Sequence, residues 1–188
     1  RIITCYLAQD SGDVSVCDLD NKKNSLEIKA KIGYLPENNP LYTDMYIKEY
    51  LEFIGNIYEI DNISNRIEEV MKKTGLMKEQ GKKIKNLSKG YCQRVGLAAS
   101  LIHDPEILIL DEPTTGLDPN QLIEIRKLIK ELGKEKTILL STHIMQEVDK
   151  MCNRIIILKN GEIVDDKKIT DLKNQDIDLE RHFRQLTS

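Results

Sequence analysis

The chain has 188 residues, of which 40% are hydrophobic and 31% charged, and its formal net charge is −3. This is the profile of a soluble globular chain long enough to bury a real core, and it argues against global disorder. The slight acidity speaks against a general grip on nucleic acid through phosphate neutralisation.

No apolar run approaches the ~20 residues needed to span a bilayer. The longest, Ile107–Leu110 and Ile155–Leu158, are short. The start shows no signal-peptide pattern, and the first residue is Arg1, not methionine. The four cysteines, Cys5, Cys17, Cys92 and Cys152, show no CxxC spacing. They read as free thiols in a reducing compartment, not as a zinc or redox motif.

In chain order, Val14, Val16 and Ile32–Leu35 are strand-like. Across Met45–Ile60, apolar residues fall at Ile47, Leu51, Ile54 and Tyr58, which is helix period. Asn65 with Glu68 three residues later reads as a capping box that opens a second helix, and Gly75 ends it. A serine and a glycine, Ser88 and Gly90, precede a long apolar helix over Val95–Ile102. Ile107–Leu110 is a continuous apolar run, as expected of a parallel strand covered on both faces. Asp118-Pro119 caps and starts a helix with Leu122, Ile125, Ile129 and Leu132 on one face. Thr137–Leu140 is a second buried strand. Arg154–Lys159, Asn160-Gly161 and Glu162–Val164 form a hairpin with a type I′ turn. Residues 166–188 are polar, with a final short helix through Leu179 and Phe183. The βαβαβ alternation predicts an α/β fold with an open, mostly parallel sheet.

Three segments carry chemistry. Ile107–Leu110 runs into Asp111 and Glu112. In open α/β sheets ligands sit beyond the carboxyl ends of the strands, where these two acids would emerge. Neighbouring strand residues point to opposite faces, so the two acids need not share one job. One suits Mg²⁺ and the other can polarise a water; the alternative is a strand ending in a solvated turn. In Leu87-Ser88-Lys89-Gly90-Tyr91-Cys92-Gln93-Arg94, Ser88 caps a helix and Gly90 lets the backbone approach an anion. Plain N-capping is the alternative there. Ser141-Thr142-His143 follows the second buried strand, and His143 either contacts a phosphate or is structural.

In this order and spacing, Leu87–Gln93, Leu108–Asp118 and Ser141–His143 resemble the signature motif, Walker B segment, D-loop and H-loop of the ATP-binding cassette ATPases. Tyr34-Leu35-Pro36-Glu37 resembles the Q-loop, and Leu179–Thr187 looks like the terminal helix of many such subunits. The resemblance covers essentially the whole chain. It implies a P-loop NTPase (RecA-like) fold with an inserted α-helical subdomain. Its parts would be a partial nucleotide-binding core at 1–37, a helical signature subdomain at 38–104, the Walker B, D-loop and H-loop core at 105–165, and a C-terminal tail and helix at 166–188.

The roles implied by the resemblance are specific. Asp111 helps hold Mg²⁺. Glu112 acts as general base or positions the attacking water, and His143 contacts the γ-phosphate of ATP. Ser88 and Gly90 reach the γ-phosphate of an ATP held by a second cassette, in a homo- or heterodimer. Asp118 couples the two sites. Glu37 stands where the family has glutamine, and a carboxylate there can coordinate Mg²⁺ or accept from water. Lys89 replaces a glycine, pointing either to phosphate or to solvent, and Tyr91 replaces a glutamine. The implied function is that of a bacterial transporter ATPase docked on a separate transmembrane permease at the cytoplasmic face of the membrane. No role on nucleic acid is expected. The phrasing of LSKGY and of residues 32–53 is similar to ABC-2-type exporters and gliding-motility-associated subunits.

No G-x-x-x-x-G-K-[ST] occurs in the sequence. Arg1–Gly12 resembles the stretch just after the phosphate-loop helix, so the expectation is a chain that begins inside the family's fold, lacking its first strands and P-loop. Such a chain retains catalytic carboxylates without the main phosphate cradle, and it is not expected to turn ATP over alone. The alternatives are a non-catalytic scaffold or partner cassette, or a non-transport ATPase of the same superfamily.

Overall fold

A computed structural model describes residues 1–175 and 177–188. The chain forms two compact units, Arg1–Ser141 and Thr142–Ser188.

In the first unit, a short antiparallel pair, β1 (Ser15–Val16) and β2 (Leu19–Asp20), is followed by α1 (Ser25–Lys31) and β3 (Ile32–Leu35). A helical stretch then intervenes, with α2 (Ile47–Ile57), α3 (Ile63–Lys73) and α4 (Lys89–Leu101). The chain returns to the sheet as β4 (Ile107–Asp111), crosses over through α5 (Pro119–Leu132) and adds β5 (Thr137–Ser141). The sheet order is β3-β4-β5, with both pairings parallel. The expected open parallel sheet is therefore present.

The sequence explains these elements through burial. Leu108 and Leu110 of β4 are fully buried, and Ile109 is nearly so. Both faces of the central strand are covered, which is why its sequence does not alternate. The apolar stripe of α2 buries Ile47 and Leu51, and α3 buries Ile67, Val70 and Met71. Asp118 caps α5 as expected, accepting from the amides of Asn120 at 3.0 Å and Gln121 at 2.9 Å. Pro119, which needs no amide partner in the first turn, occupies the first helical position.

Several boundaries differ from the sequence reading. Helix α3 starts at Ile63, with Asn62 in a left-handed cap conformation and no side-chain cap bond. Asn65 lies inside the first turn, and Glu68 pairs with Lys72 at 2.6 Å instead of closing a capping box. The box-like bond occurs at α2, where the Tyr46 amide donates to Glu49 at 2.8 Å. Helix α4 begins at Lys89, six residues before Val95, so Gly90 lies within it and not ahead of it. Helix α1 was not anticipated.

The second unit consists of α6 (Met145–Met151), an antiparallel hairpin of β6 (Arg154–Lys159) and β7 (Glu162–Lys168), α7 (Ile169–Asn174) and α8 (Leu179–Thr187). Asn160 and Gly161 have φ of 51° and 84°, the left-handed pair that a type I′ turn requires. Val148, Ile155, Ile157, Ile169 and Leu172 form its core, and Leu179, Phe183 and Leu186 of α8 pack on it. His182 Nε2 meets Asp165 Oδ2 at 2.5 Å and ties α8 to β7. Strand β7 extends beyond the expected Val164, and α7 was unforeseen.

Among the described residues no helix is long and apolar enough to cross a membrane, and the four cysteines are free.

Candidate functional site

Because β3, β4 and β5 run parallel, their carboxyl ends share one edge of the sheet. Asp111 is the last residue of β4, in register with Ser141 of β5. The Ser141 hydroxyl donates to Asp111 Oδ1 at 2.7 Å. Glu112 then leaves the strand with φ of 49°, a left-handed conformation that costs a residue with a side chain roughly 1–2 kcal/mol. Hydrogen bonds from both sides hold it there. The Glu112 amide donates to the Ser141 carbonyl at 3.0 Å, and Thr115 Oγ1 donates to Glu112 Oε2 at 3.0 Å. The carboxylates of Asp111 and Glu112 thus take different hydroxyl donors at the sheet edge. Glu37 follows β3 by two residues and is exposed.

A second cluster forms where α4 and α5 begin. Ser88 occupies the cap position of α4 with φ −68° and ψ 161°, but its hydroxyl makes no capping bond. Its oxygen instead accepts from Gln121 Nε2 at 3.3 Å. Gly90, buried in the first turn of α4, faces the same amide: a Cβ there would lie 2.3 Å from Gln121 Oε1. Asp118 fixes the backbone of Gln121 through the cap bond already described. Lys89 is exposed, yet its side chain lies across the backbone at Gly116, where a Cβ would meet Nζ at 2.2 Å.

Tyr91 also acquires a physical role. Its ring sits 5.8 Å from the Arg94 guanidinium carbon, within range of a cation–π contact. Arg94 is buried, donates to the Thr74 carbonyl at 3.0 Å and pairs with Glu124 of α5. It therefore joins α4 to the end of α3 and to α5.

The first unit thus brings Asp111, Glu112 and Ser141 together, and separately Ser88, Gly90, Asp118 and Gln121. His143 belongs to the second unit, exposed in the link before α6. There the Ile144 amide donates to Thr142 Oγ1 at 3.1 Å. Sequence reasoning gave no role to Ser141, Thr115 or Gln121. Ser141 was signalled by its place at a strand end, whereas Gln121 carries no local signal.

Among the described residues no group of three or more His, Cys, Asp and Glu gathers to hold a metal. Mg²⁺ does not require one, since it is commonly held by one or two carboxylates, waters and substrate phosphates. The Asp111 carboxylate, oriented by the Ser141 hydroxyl, is one hard oxygen group of that kind.

Comparison with known proteins places the chain in a family. Residues 1–115 match the ABC transporter family. The chain is 38% identical over 168 residues to the ABC transporter ATP-binding protein NatA of Bacillus subtilis, covering 87% of this chain and 68% of that protein. It spans 57% to 58% of the length of three further curated relatives. Among solved structures, cbiO1 from Clostridium perfringens, part of the ABC transporter complex cbiONQ, superposes with a TM-score of 0.80 at 28% identity, over 93% of this chain and 73% of its own. An ATP-binding subunit of an ABC transporter superposes with a TM-score of 0.86 over 100% of this chain and 81% of its own; at 24% identity this speaks to the fold alone. The fold is that of the P-loop NTPases, with a mostly parallel sheet and packed helices. By its family match and its relatives, the chain belongs to the ABC transporter ATP-binding family.

Proposed function

We propose that these residues form the hydrolytic and signature portion of an ABC ATPase that drives transport through a separate membrane permease. The observation that carries this reading is the pair of adjacent carboxylates, Asp111 and Glu112, at the carboxyl edge of the sheet, each bonded by its own hydroxyl donor.

The chemistry that Mg·ATP brings to such a site is transfer of the γ-phosphoryl group to water. Asp111, oriented by Ser141, holds the cation. The Glu112 carboxylate, oriented by Thr115 through Oε2, positions the water and accepts its proton. His143 contacts the γ-phosphate, and Glu37 offers a carboxylate to the cation or to a water. Ser88, exposed at the start of α4, and Gly90, in the same turn, serve the γ-phosphate of an ATP held by a second cassette. Asp118, at the start of α5, links the two nucleotide sites.

The main phosphate cradle of this reading is a GxxxxGK[ST] loop that these residues do not contain, so the 188 residues alone do not turn ATP over. The permease engages the helical stretch near residues 38–60, and the ATPase works at the cytoplasmic face of the membrane. A gliding-motility role rests on the phrasing of LSKGY and residues 32–53 alone, and the broader transport reading does not depend on it.

The test compares ATP hydrolysis by the full-length protein, its Glu112→Gln variant and the 188-residue chain. The reading expects activity only in the first. Unchanged turnover in Glu112→Gln contradicts the catalytic assignment. Micromolar Mg·ATP affinity in the 188-residue chain contradicts the need for a further phosphate loop.

A further inference from the structure

The contact between Gln121 and Ser88 has a polarity. A serine hydroxyl carries one hydrogen and two acceptor lone pairs. Here the Gln121 amide nitrogen is the donor and Ser88 Oγ the acceptor, at 3.3 Å. The bond uses a lone pair and leaves the Ser88 hydrogen available for an anion. An acceptor in place of the Gln121 amide would draw that hydrogen toward itself.

The surroundings hold Gln121 in this orientation. Asp118 Oδ1 accepts the Gln121 amide at 2.9 Å, which fixes its backbone in the first turn of α5. The side-chain amide lies flat against Gly90, in space that any larger residue at position 90 would take. Lys89, between Ser88 and Gly90, crosses the chain at Gly116, two residues before Asp118. The start of α4 is therefore braced at two points by the turn that opens α5.

We propose that Gln121 is a positioning residue for Ser88: its amide occupies the acceptor side of the hydroxyl and leaves the hydrogen to donate to a γ-phosphate oxygen of nucleotide held by a second cassette. The proposal rests on the reading of Ser88 given above. Gln121 touches no nucleotide, and its effect passes entirely through the serine.

The experiment measures Mg·ATP-driven association of the full-length protein by sedimentation, with nucleotide affinity of the monomer recorded separately. Gln121→Ala removes the donor, and association weakens by roughly threefold to tenfold per site. Gln121→Glu has nearly the same shape but only accepts, so it weakens association more than Gln121→Ala. Asn120→Asp places the same charge one residue away, outside the contact, and leaves association unchanged. Monomer affinity for nucleotide is unchanged in all three.

On a Ser88→Ala background, the Gln121 substitutions add no further loss. Wild-type association in Gln121→Glu, or an equal loss with and without Ser88, overturns the proposal while leaving the role of Ser88 intact. If Ser88→Ala itself has no effect, the trans-phosphate reading of Ser88 fails and this inference falls with it. Should Gln121→Glu melt early, Gln121→Ala alone decides between these outcomes.

Discussion

The Ser141 hydroxyl donates to the Asp111 carboxylate at 2.7 Å, joining the last residues of two neighbouring parallel strands. The contact fixes one carboxylate oxygen at the sheet edge and places a second oxygen donor beside it. Replacing Asp111 by Asn removes the charge that attracts a hard cation. Asp111→Asn should abolish the Mg²⁺-dependent part of ATP binding in the full-length protein. Ser141→Ala should raise the Mg²⁺ midpoint by about threefold to tenfold, the equivalent of one hydrogen bond. Fluorescent-nucleotide titration across a Mg²⁺ series measures both. Equal midpoints in all three proteins would count against Asp111 as a ligand.

Glu112 follows Asp111 directly but occupies a left-handed conformation and a different hydrogen-bond environment. A residue that only positions and accepts a proton contributes to the chemical step more than to binding. Glu112→Gln is expected to lower ATP turnover by roughly 10²- to 10⁴-fold while Mg·ATP affinity stays near wild type. Thr115→Val, which removes the hydroxyl aimed at Glu112 Oε2, should fall between the two. Single-turnover hydrolysis combined with equilibrium binding separates these effects. A Glu112→Gln protein that loses binding and turnover together would assign Glu112 to the cation instead.

Arg94 is buried between α3, α4 and α5, with bonds to the Thr74 carbonyl and to Glu124. Arg94→Met keeps much of the volume but leaves a buried carbonyl unpaired. The expected loss is about 2–4 kcal/mol of folding stability. Arg94→Lys retains the charge without the forked geometry and should lose less than Arg94→Met. Urea denaturation of the full-length protein reads the differences, and a change under about 0.5 kcal/mol for Arg94→Met, the scale of ordinary surface substitutions, would refute the structural role.

His103 gives the fold a pH dependence. Burial holds its imidazole below the ordinary value of 6.5, and Arg66 and Lys136 push in the same direction. The bond between Nε2 and the Ile32 carbonyl at 3.2 Å and the charge of Asp104 oppose the shift without cancelling it. The ring stacks on Tyr58 at 3.9 Å, and its buried Nδ1 has no partner among the described residues. Between the folded and unfolded values, the unfolded chain holds more protons. The contribution to stability is therefore complete above about pH 6.5 and is lost as pH falls through the lower, folded value. His103→Phe keeps a ring for Tyr58 and removes the titration. The fall in urea midpoint between pH 7.5 and pH 5.5 should be smaller in His103→Phe than in wild type. Parallel curves for the two proteins would show that His103 does not titrate differently on folding.

What the sequence determined by itself is what local chemistry can specify. Four apolar residues ending in Asp111 demand a strand covered on both faces. Asp118-Pro119 caps and opens α5 because its partners lie within three residues. Asn160-Gly161 makes its turn because only such residues accept two left-handed conformations in a row. The order of the motifs pointed to the family for the same reason, since each motif is a short run of adjacent residues. Tertiary structure decided the rest. Helix α1 buries only Ile28, too little for a periodic signal. The start of α3 at Ile63 is set by the left-handed turn at Asn62, not by the local lure of Asn65 and Glu68. Ser88 looks like a cap, yet its oxygen turns to Gln121, 33 residues away in sequence. Ser141 reaches Asp111 across 30 residues because a crossover helix brings β5 beside β4 in register. Partners so far apart leave no period or spacing in the chain; packing of helices and strands alone brings them within hydrogen-bond range.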